Sequence, residues 1–345
     1  MSTSTKKSDD TIPPEYPYAW SPNSTMTLDE FITKYKPSMV QNDGTKPWLW
    51  VRSKDTESLT SVEDQASALA KAATLLQEVT EKVEQIKNDD SIPVRSSKKT
   101  GAKSKKEVRE QVQAEAVEKL KDISQEHGYV CGKWLIFAPS DRVDSIWAGI
   151  SSSLVSGPLS STSASCAKVA TSPQNEVSGY QHVICVYIPD VYDKESVTEV
   201  MHVLLRKHGV NLSGVKSDLY TLIGLDSKHP SGISSTVWKN TALLKDAEIK
   251  ELKDAYFAEL SASKAAASAQ TETTKKSKQA EGKPRLLLKK KNVKDEDPFA
   301  SDDETDAKQP DSDKSGKGTT AMKRAHDSER EGDEGIARGK AKRKK

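Results

Sequence analysis

The run Lys133-Trp134-Leu135-Ile136-Phe137, closed by Pro139, sets the architecture of this chain. It is short, apolar and aromatic, as a buried strand is, and a proline ends it because it has no N–H for the ladder. Toward the C-terminus, Val143, Ile146, Trp147, Ile150 and Leu154 recur at helical spacing, with Ser140 or Asp141 as the candidate cap and Gly157-Pro158 as the stop. Strands are predicted over 166–171 and over 182–188, where Pro189-Asp190 breaks the run. A helix over 193–208 carries Val197, Val200, Val203 and Leu204 and closes at Gly209. His208 suits the end of that helix, where an imidazolium meets the negative end of the dipole. A strand over 218–223 and an amphipathic helix over 246–260 follow.

Toward the N-terminus, Val108, Val112, Ala116, Leu120 and Ile123 predict a helix ended by Gly128, and Ser61 opens another that runs to Ile86. Between them lies 89–106, with Arg95, Lys98, Lys99, Lys103, Lys105 and Lys106 and no acid from 92 to 106. It reads as an unstructured basic insertion, long for a connection inside a compact domain. Residues 15–50 are rich in proline and aromatic side chains and read as an arm laid on the domain. The arm holds a short helix near 28–35 capped by Thr27 and Glu30, then a strand over 47–51. Strands and helices mix without regular βαβ alternation, and no glycine-rich βα turn occurs. The expected class is therefore α+β, a largely antiparallel sheet with helices on one face.

Composition divides the chain. Of 345 residues 34% are hydrophobic and 30% charged, too polar for a chain folded throughout. Residues 264–345 hold 22 Lys+Arg and 16 Asp+Glu, a net of +6, so the overall +2 leaves −4 on the first 263 residues. The tail has few large apolar side chains, and its burial would not offset about 1–2 kcal/mol per residue of backbone ordering. The expected organisation is a polar N-terminus over 1–14, one α+β domain over 15–262 and a disordered charged tail over 263–345. No run approaches the ~18 apolar residues of a membrane span, so no membrane partner is expected. Residues 1–10 lack a signal-peptide apolar stretch. Three cysteines with no close pair, Cys131, Cys166 and Cys185, argue against a disulfide framework and a cysteine-rich zinc site.

No motif carries a reaction. Residues 209–217 imitate a phosphate-binding P-loop, but an extra residue precedes Lys216, and a helix precedes the segment where a strand is required. It reads as a helix stop and connecting loop. No histidine lies at metal spacing and no G-x-S-x-G elbow is present. No catalytic residue, metal or cofactor is expected, and the chain reads as non-enzymatic. Each of the six tryptophans is read first as a core residue. The functional alternative is stacking, in which a ring holds a base while a neighbouring lysine meets phosphate. Trp48, Trp50 and Trp134 are the stacking candidates, and Trp48 and Trp50 share one face of a strand.

Six segments appear in one order. They are Pro47-Trp48-Leu49-Trp50, Gly132-Lys133-Trp134-Leu135, Val143-Asp144-Ser145-Ile146-Trp147, Ala167-Lys168-Val169-Ala170-Thr171, Val183-Ile184-Cys185-Val186-Tyr187 and Lys216-Ser217-Asp218-Leu219-Tyr220-Thr221. Together they resemble the basophilic-leukaemia-expressed protein family, a eukaryotic family of unknown function, over about residues 16–260 outside the basic insertion. The resemblance implies a fold similar to the cap-binding translation initiation factor 4E, a curved antiparallel sheet backed by helices. That factor holds a methylated guanine between two tryptophans, one followed by an acid, and no Trp-Glu or Trp-Asp dipeptide occurs in this chain.

The expected function is weak binding of RNA or a nucleotide. Lys133, Lys168 and Lys216 are the phosphate-contact candidates, and the basic insertion and tail add electrostatic attraction. The rival is a protein-interaction adaptor with purely structural tryptophans and partner motifs in the tail. Lys323-Arg324 with Lys340, Lys342, Arg343, Lys344 and Lys345 resembles a two-part nuclear import signal. Ser301, followed by Asp302, Asp303 and Glu304, is a phosphorylation candidate for an acid-directed kinase. An import receptor and such a kinase are the further partners implied, with the protein in nucleus and cytoplasm.

Overall fold

The structure is a computed structural model that describes residues 16–53, 61–175 and 177–277. Six strands form one sheet: β1 (Ala19–Trp20), β2 (Trp48–Arg52), β3 (Gly132–Pro139), β4 (Cys166–Ala170), β5 (Gln181–Ile188) and β6 (Leu212–Ser217). Their spatial order is β1-β2-β4-β5-β3-β6. β1 pairs with β2 in parallel, and the other pairings are antiparallel. The α+β class with a mostly antiparallel sheet holds, and the aromatic arm supplies the parallel edge.

Alternation along the strands builds the core. Trp134, Ile136 and Ala138 of β3 point to the same side as Leu49, Val51, Val169, Ile184, Val186 and Val215, all fully or almost fully buried. Two helices cover that side, α4 (Val143–Ser156) and α5 (Lys194–His208). They contribute Trp147, Ile150 and Leu154, and Val197, Val200, Met201 and Leu204. Each such side chain contributes about 1.5–3 kcal/mol through burial. The short helix α1 (Leu28–Lys34) seats Phe31 in this core, and its Thr27–Glu30 capping box forms as expected. Helix α8 (Asp246–Ser277) lies against α5 through Ile249 and Leu252.

A second core forms away from the sheet. Helices α2 (Val62–Asn88) and α3 (Lys105–Glu126) make a hairpin. Leu76, Val83 and Leu120 of that hairpin are buried with Leu219 and Tyr220 of α6 (Asp218–Leu222). One more short helix, α7 (Asn240–Leu243), precedes α8.

Five expectations are corrected. The basic insertion over 89–106 is a folded connection: Ser97 bridges to Ala102, Lys105 N–H donates to the Pro93 carbonyl, and Lys105 Nζ donates to the Lys87 carbonyl. Its last residues already belong to α3, which Ser104 and Glu107 cap reciprocally, a capping box the charge run concealed. Residues 218–223 open as helix α6 instead of a strand, because Ser217 accepts from Leu219 N–H and caps it. The ladder partner of β3 is the preceding segment, β6, read above as a loop. Neither Ser140 nor Asp141 caps α4, whose N-cap is Arg142 without a side-chain bond; the Ser140 hydroxyl lies 3.2 Å from His182 Nε2. Helix α8 runs to Ser277, past the tail boundary expected at 263. Ser301 and the import-signal residues lie outside the described residues, as does the N-terminal stretch 1–14.

The fifth correction concerns His208. Gly209 closes α5 in the left-handed conformation at φ 58°, as expected. However, the His208 ring is largely enclosed, its Nε2 has no hydrogen-bond partner, and burial lowers its pKa to about 4. It is a neutral imidazole rather than a cation on the helix dipole. Between pH 6.5 and 4 the unfolded chain takes up a proton that the folded state refuses, so stability falls with pH across that window. The expected loss is about 3 kcal/mol. In urea titrations at pH 7 and pH 4.5, His208→Gln should remove most of this dependence; an unchanged dependence would reject the assignment.

Candidate functional site

The face of the sheet turned away from α4 and α5 carries a different set of side chains. Antiparallel register aligns them in rows across the strands. Arg52 of β2 lies opposite Cys166 of β4, which pairs with Tyr187 of β5, then Lys133 of β3 and Lys216 of β6. One row over, Trp50 pairs with Lys168, Lys168 with Cys185, and Cys185 with Leu135. The strand parity that sends Trp134 into the core thus sends its neighbour Lys133 to this opposite face.

The rows assemble a cluster of cations and rings. Lys168 Nζ lies 4.1 Å from the ring centroid of Trp48, 4.9 Å from that of Trp50 and 5.7 Å from that of Tyr187. Trp50 and Tyr187 stack with centroids 5.7 Å apart. Lys133 Nζ lies 5.3 Å from the Tyr187 centroid and forms an ion pair with Asp218 at 2.8 Å. Lys168, Trp50 and Lys133 are only 2%, 3% and 4% exposed, so Trp50, read above as a stacking ring, is enclosed. Removing an ammonium from water costs several kcal/mol. Ring faces return part of that, because a desolvated cation–π contact reaches about 2 kcal/mol. At the rim, Trp48, Arg52 and Lys216 are half-buried. The Trp48 indole Nε1 is buried with no acceptor.

The thiols beside the cluster are held protonated. Burial first, then the Asp218 carboxylate, raises the Cys131 pKa far above its ordinary value, and Cys131 Sγ donates to Asp218 Oδ2 at 3.3 Å. Burial pushes Cys166 up to about 12. Among the described residues no group of three His, Cys, Asp or Glu side chains is placed to hold a metal ion. No described helix is long and apolar enough to cross a membrane.

The structure brings together Trp48, Trp50, Lys133, Lys168 and Lys216 on one face. It separates Trp134, which is completely enclosed in the core with its Nε1 donating to the Val197 carbonyl at 3.3 Å. Trp134 presents no face to a ligand and is withdrawn as a stacking residue. Lys133, read above as a phosphate contact, is a paired charge beneath the surface. Sequence reasoning missed Tyr187, Arg52 and Asp218. The signal for the first two was parity within strands already located, but it becomes usable only once register is known.

Fold and site together define an α+β domain in which one sheet face packs against α4 and α5 and the other carries a cation–aromatic cluster. The family model described as basophilic leukemia-expressed protein Bles03 matches residues 1–221, and the chain belongs to that family. The match spans all six strands and ends within α6, so α7 and α8 lie beyond the matched residues.

Proposed function

We propose that the protein is a non-enzymatic binding module for RNA or a nucleotide, and that the cluster on the sheet face turned away from α4 and α5 is its ligand site, entered at the half-buried rim beside Trp48. The observation that carries this reading is the placement of Lys168 among Trp48, Trp50 and Tyr187. A base has a π-face for the rings and its phosphate needs cations, so one nucleotide answers both features. The buried Trp48 N–H adds a donor without an acceptor, a defect of about 1–3 kcal/mol that a ligand oxygen or ring nitrogen would relieve. The folded part is acidic overall, so the attraction is local to this face, with the basic tail as a second, salt-sensitive contributor. In the same reading the tail holds the import signal and the Ser301 phosphorylation site.

Titration of the full chain with capped and uncapped oligonucleotides, followed by tryptophan fluorescence, tests the proposal. Quenching is expected, and Trp48→Ala should weaken binding about 5- to 100-fold while the fold is retained. Binding that is untouched by Trp48→Ala and Lys168→Met would remove the site. No binding at all would favour the adaptor reading, in which the tail carries the partner motifs.

A further inference from the structure

Where β3 turns toward α4, a serine hydroxyl rests on a histidine. Ser140 Oγ lies 3.2 Å from His182 Nε2. Ser140 is exposed, whereas His182 is fully enclosed. His182 pairs across the ladder with Ala138, so its ring stands on the core side of the sheet with Ala138 and Ile136, opposite the lysine cluster. Its Nδ1 lies 2.8 Å from the carbonyl of Ala170, the last residue of β4. Tyr180 packs edge-on against the imidazole, with centroids 4.9 Å apart. A carbonyl oxygen only accepts, so Nδ1 carries the proton, and the neutral ring offers its Nε2 lone pair to the Ser140 hydroxyl.

A nucleophile, a base and a group that orients the base thus stand in the order that activates a serine. Other serines have only part of this. Ser231 also meets a histidine, with Oγ 2.9 Å from His229 Nδ1, but it is fully enclosed and accepts from Ile233 N–H. Ser145 is exposed, but its hydroxyl donates to the Arg142 carbonyl. Ser140 combines an exposed hydroxyl with a base. Helix α4 begins three residues after it without a side-chain cap, and the positive end of that helix favours negative charge developing nearby.

We infer that Ser140 is a nucleophilic acceptor of acyl groups, modified by activated esters such as aryl esters and thioesters. Ser140 Oγ attacks the acyl carbon while His182 Nε2 takes the hydroxyl proton. An Oγ–C bond forms, and the bond from the acyl carbon to the leaving oxygen or sulfur breaks. The leaving group departs with the electron pair as an aryloxide or thiolate, and His182 passes its extra proton to solvent. A carbonyl dipole stabilises the imidazolium less than the carboxylate of a full triad does, which restricts the donor to good leaving groups. The product is an O-acyl serine on the chain itself, one per chain. The site lies on the other side of the sheet from the cation–aromatic cluster and does not depend on RNA or nucleotide binding.

The test treats the full chain with p-nitrophenyl acetate, in native buffer and in urea, and reads the acetylated positions by mass spectrometry of tryptic peptides. In native buffer Ser140 should be acetylated about 100-fold or more faster than Ser145, within the range of general-base assistance. Urea should collapse that ratio, because unfolding takes His182 away from Ser140. Ser140→Ala should remove the rapid release of nitrophenolate while thermal melts show a native fold. His182→Gln, which has no base, should slow acetylation of Ser140 to the rate at Ser145. Equal native rates at the two serines, or a ratio that survives urea, would overturn the inference. So would a folded His182→Gln protein that acetylates Ser140 at the wild-type rate. If that variant does not fold, the comparison of native and urea-treated wild type decides alone.

Discussion

Replacing Lys133 with methionine is expected to destabilise the protein by about 3–5 kcal/mol, read as a lower urea midpoint. Lys133 is enclosed on the sheet face, and its Nζ is 2.8 Å from Asp218, which is itself almost fully buried. Removing the ammonium leaves the carboxylate enclosed beside the weak Cys131 thiol donor. The damage extends past the pair. Asp218 is the first residue of α6, and the next two residues, Leu219 and Tyr220, anchor the second core. The pair therefore joins the sheet to the α2–α3 hairpin. Lys133→Met combined with Asp218→Asn removes both charges and should recover at least half of the loss. A single variant within about 1 kcal/mol of wild type would show that the pair is solvated and dispensable.

Trp134→Ala should cost a similar amount, about 3–5 kcal/mol, by opening a cavity under the sheet. The indole is completely enclosed and its N–H donates to the Val197 carbonyl on α5, so truncation also removes that bond. Trp48→Ala should cost less than half as much, because that ring is half-buried and its N–H has no acceptor to lose. Parallel urea titrations of the two variants check the contrast. Equal losses would mean that Trp48 is as structural as Trp134, and the ring would lose its claim to a ligand. The contrast also governs how binding data are read: a loss of binding in Trp134→Ala reports unfolding.

Local patterns were legible where one interaction dominates. The Thr27 and Ser61 caps, the strands at Trp48, Gly132, Cys166 and Gln181, and the glycine stops at Gly128 and Gly209 each follow from a few adjacent residues. The misread segments are those where neighbours conflict. Around Ser217 an apolar run resembles a strand, and only the hydroxyl cap turns it into α6. Across 89–106 the charge run resembled disorder, while the capping box at Ser104 had already begun a helix.

The candidate site divides in the same way. Residue types and strand parity, both read from the chain, were enough to put Trp48 beside Trp50; the same parity separates Lys133 from Trp134, which the sequence reading had joined in one site. Tertiary structure decided which face meets α4 and α5, and so which member of each alternating pair is enclosed. Register then brought Lys168 beside Trp50, and Tyr187 beside Lys133. Parity is a property of one strand, whereas the contacts that make a cluster depend on how strands far apart in the chain are aligned, and that alignment is chosen by the packing of the whole core.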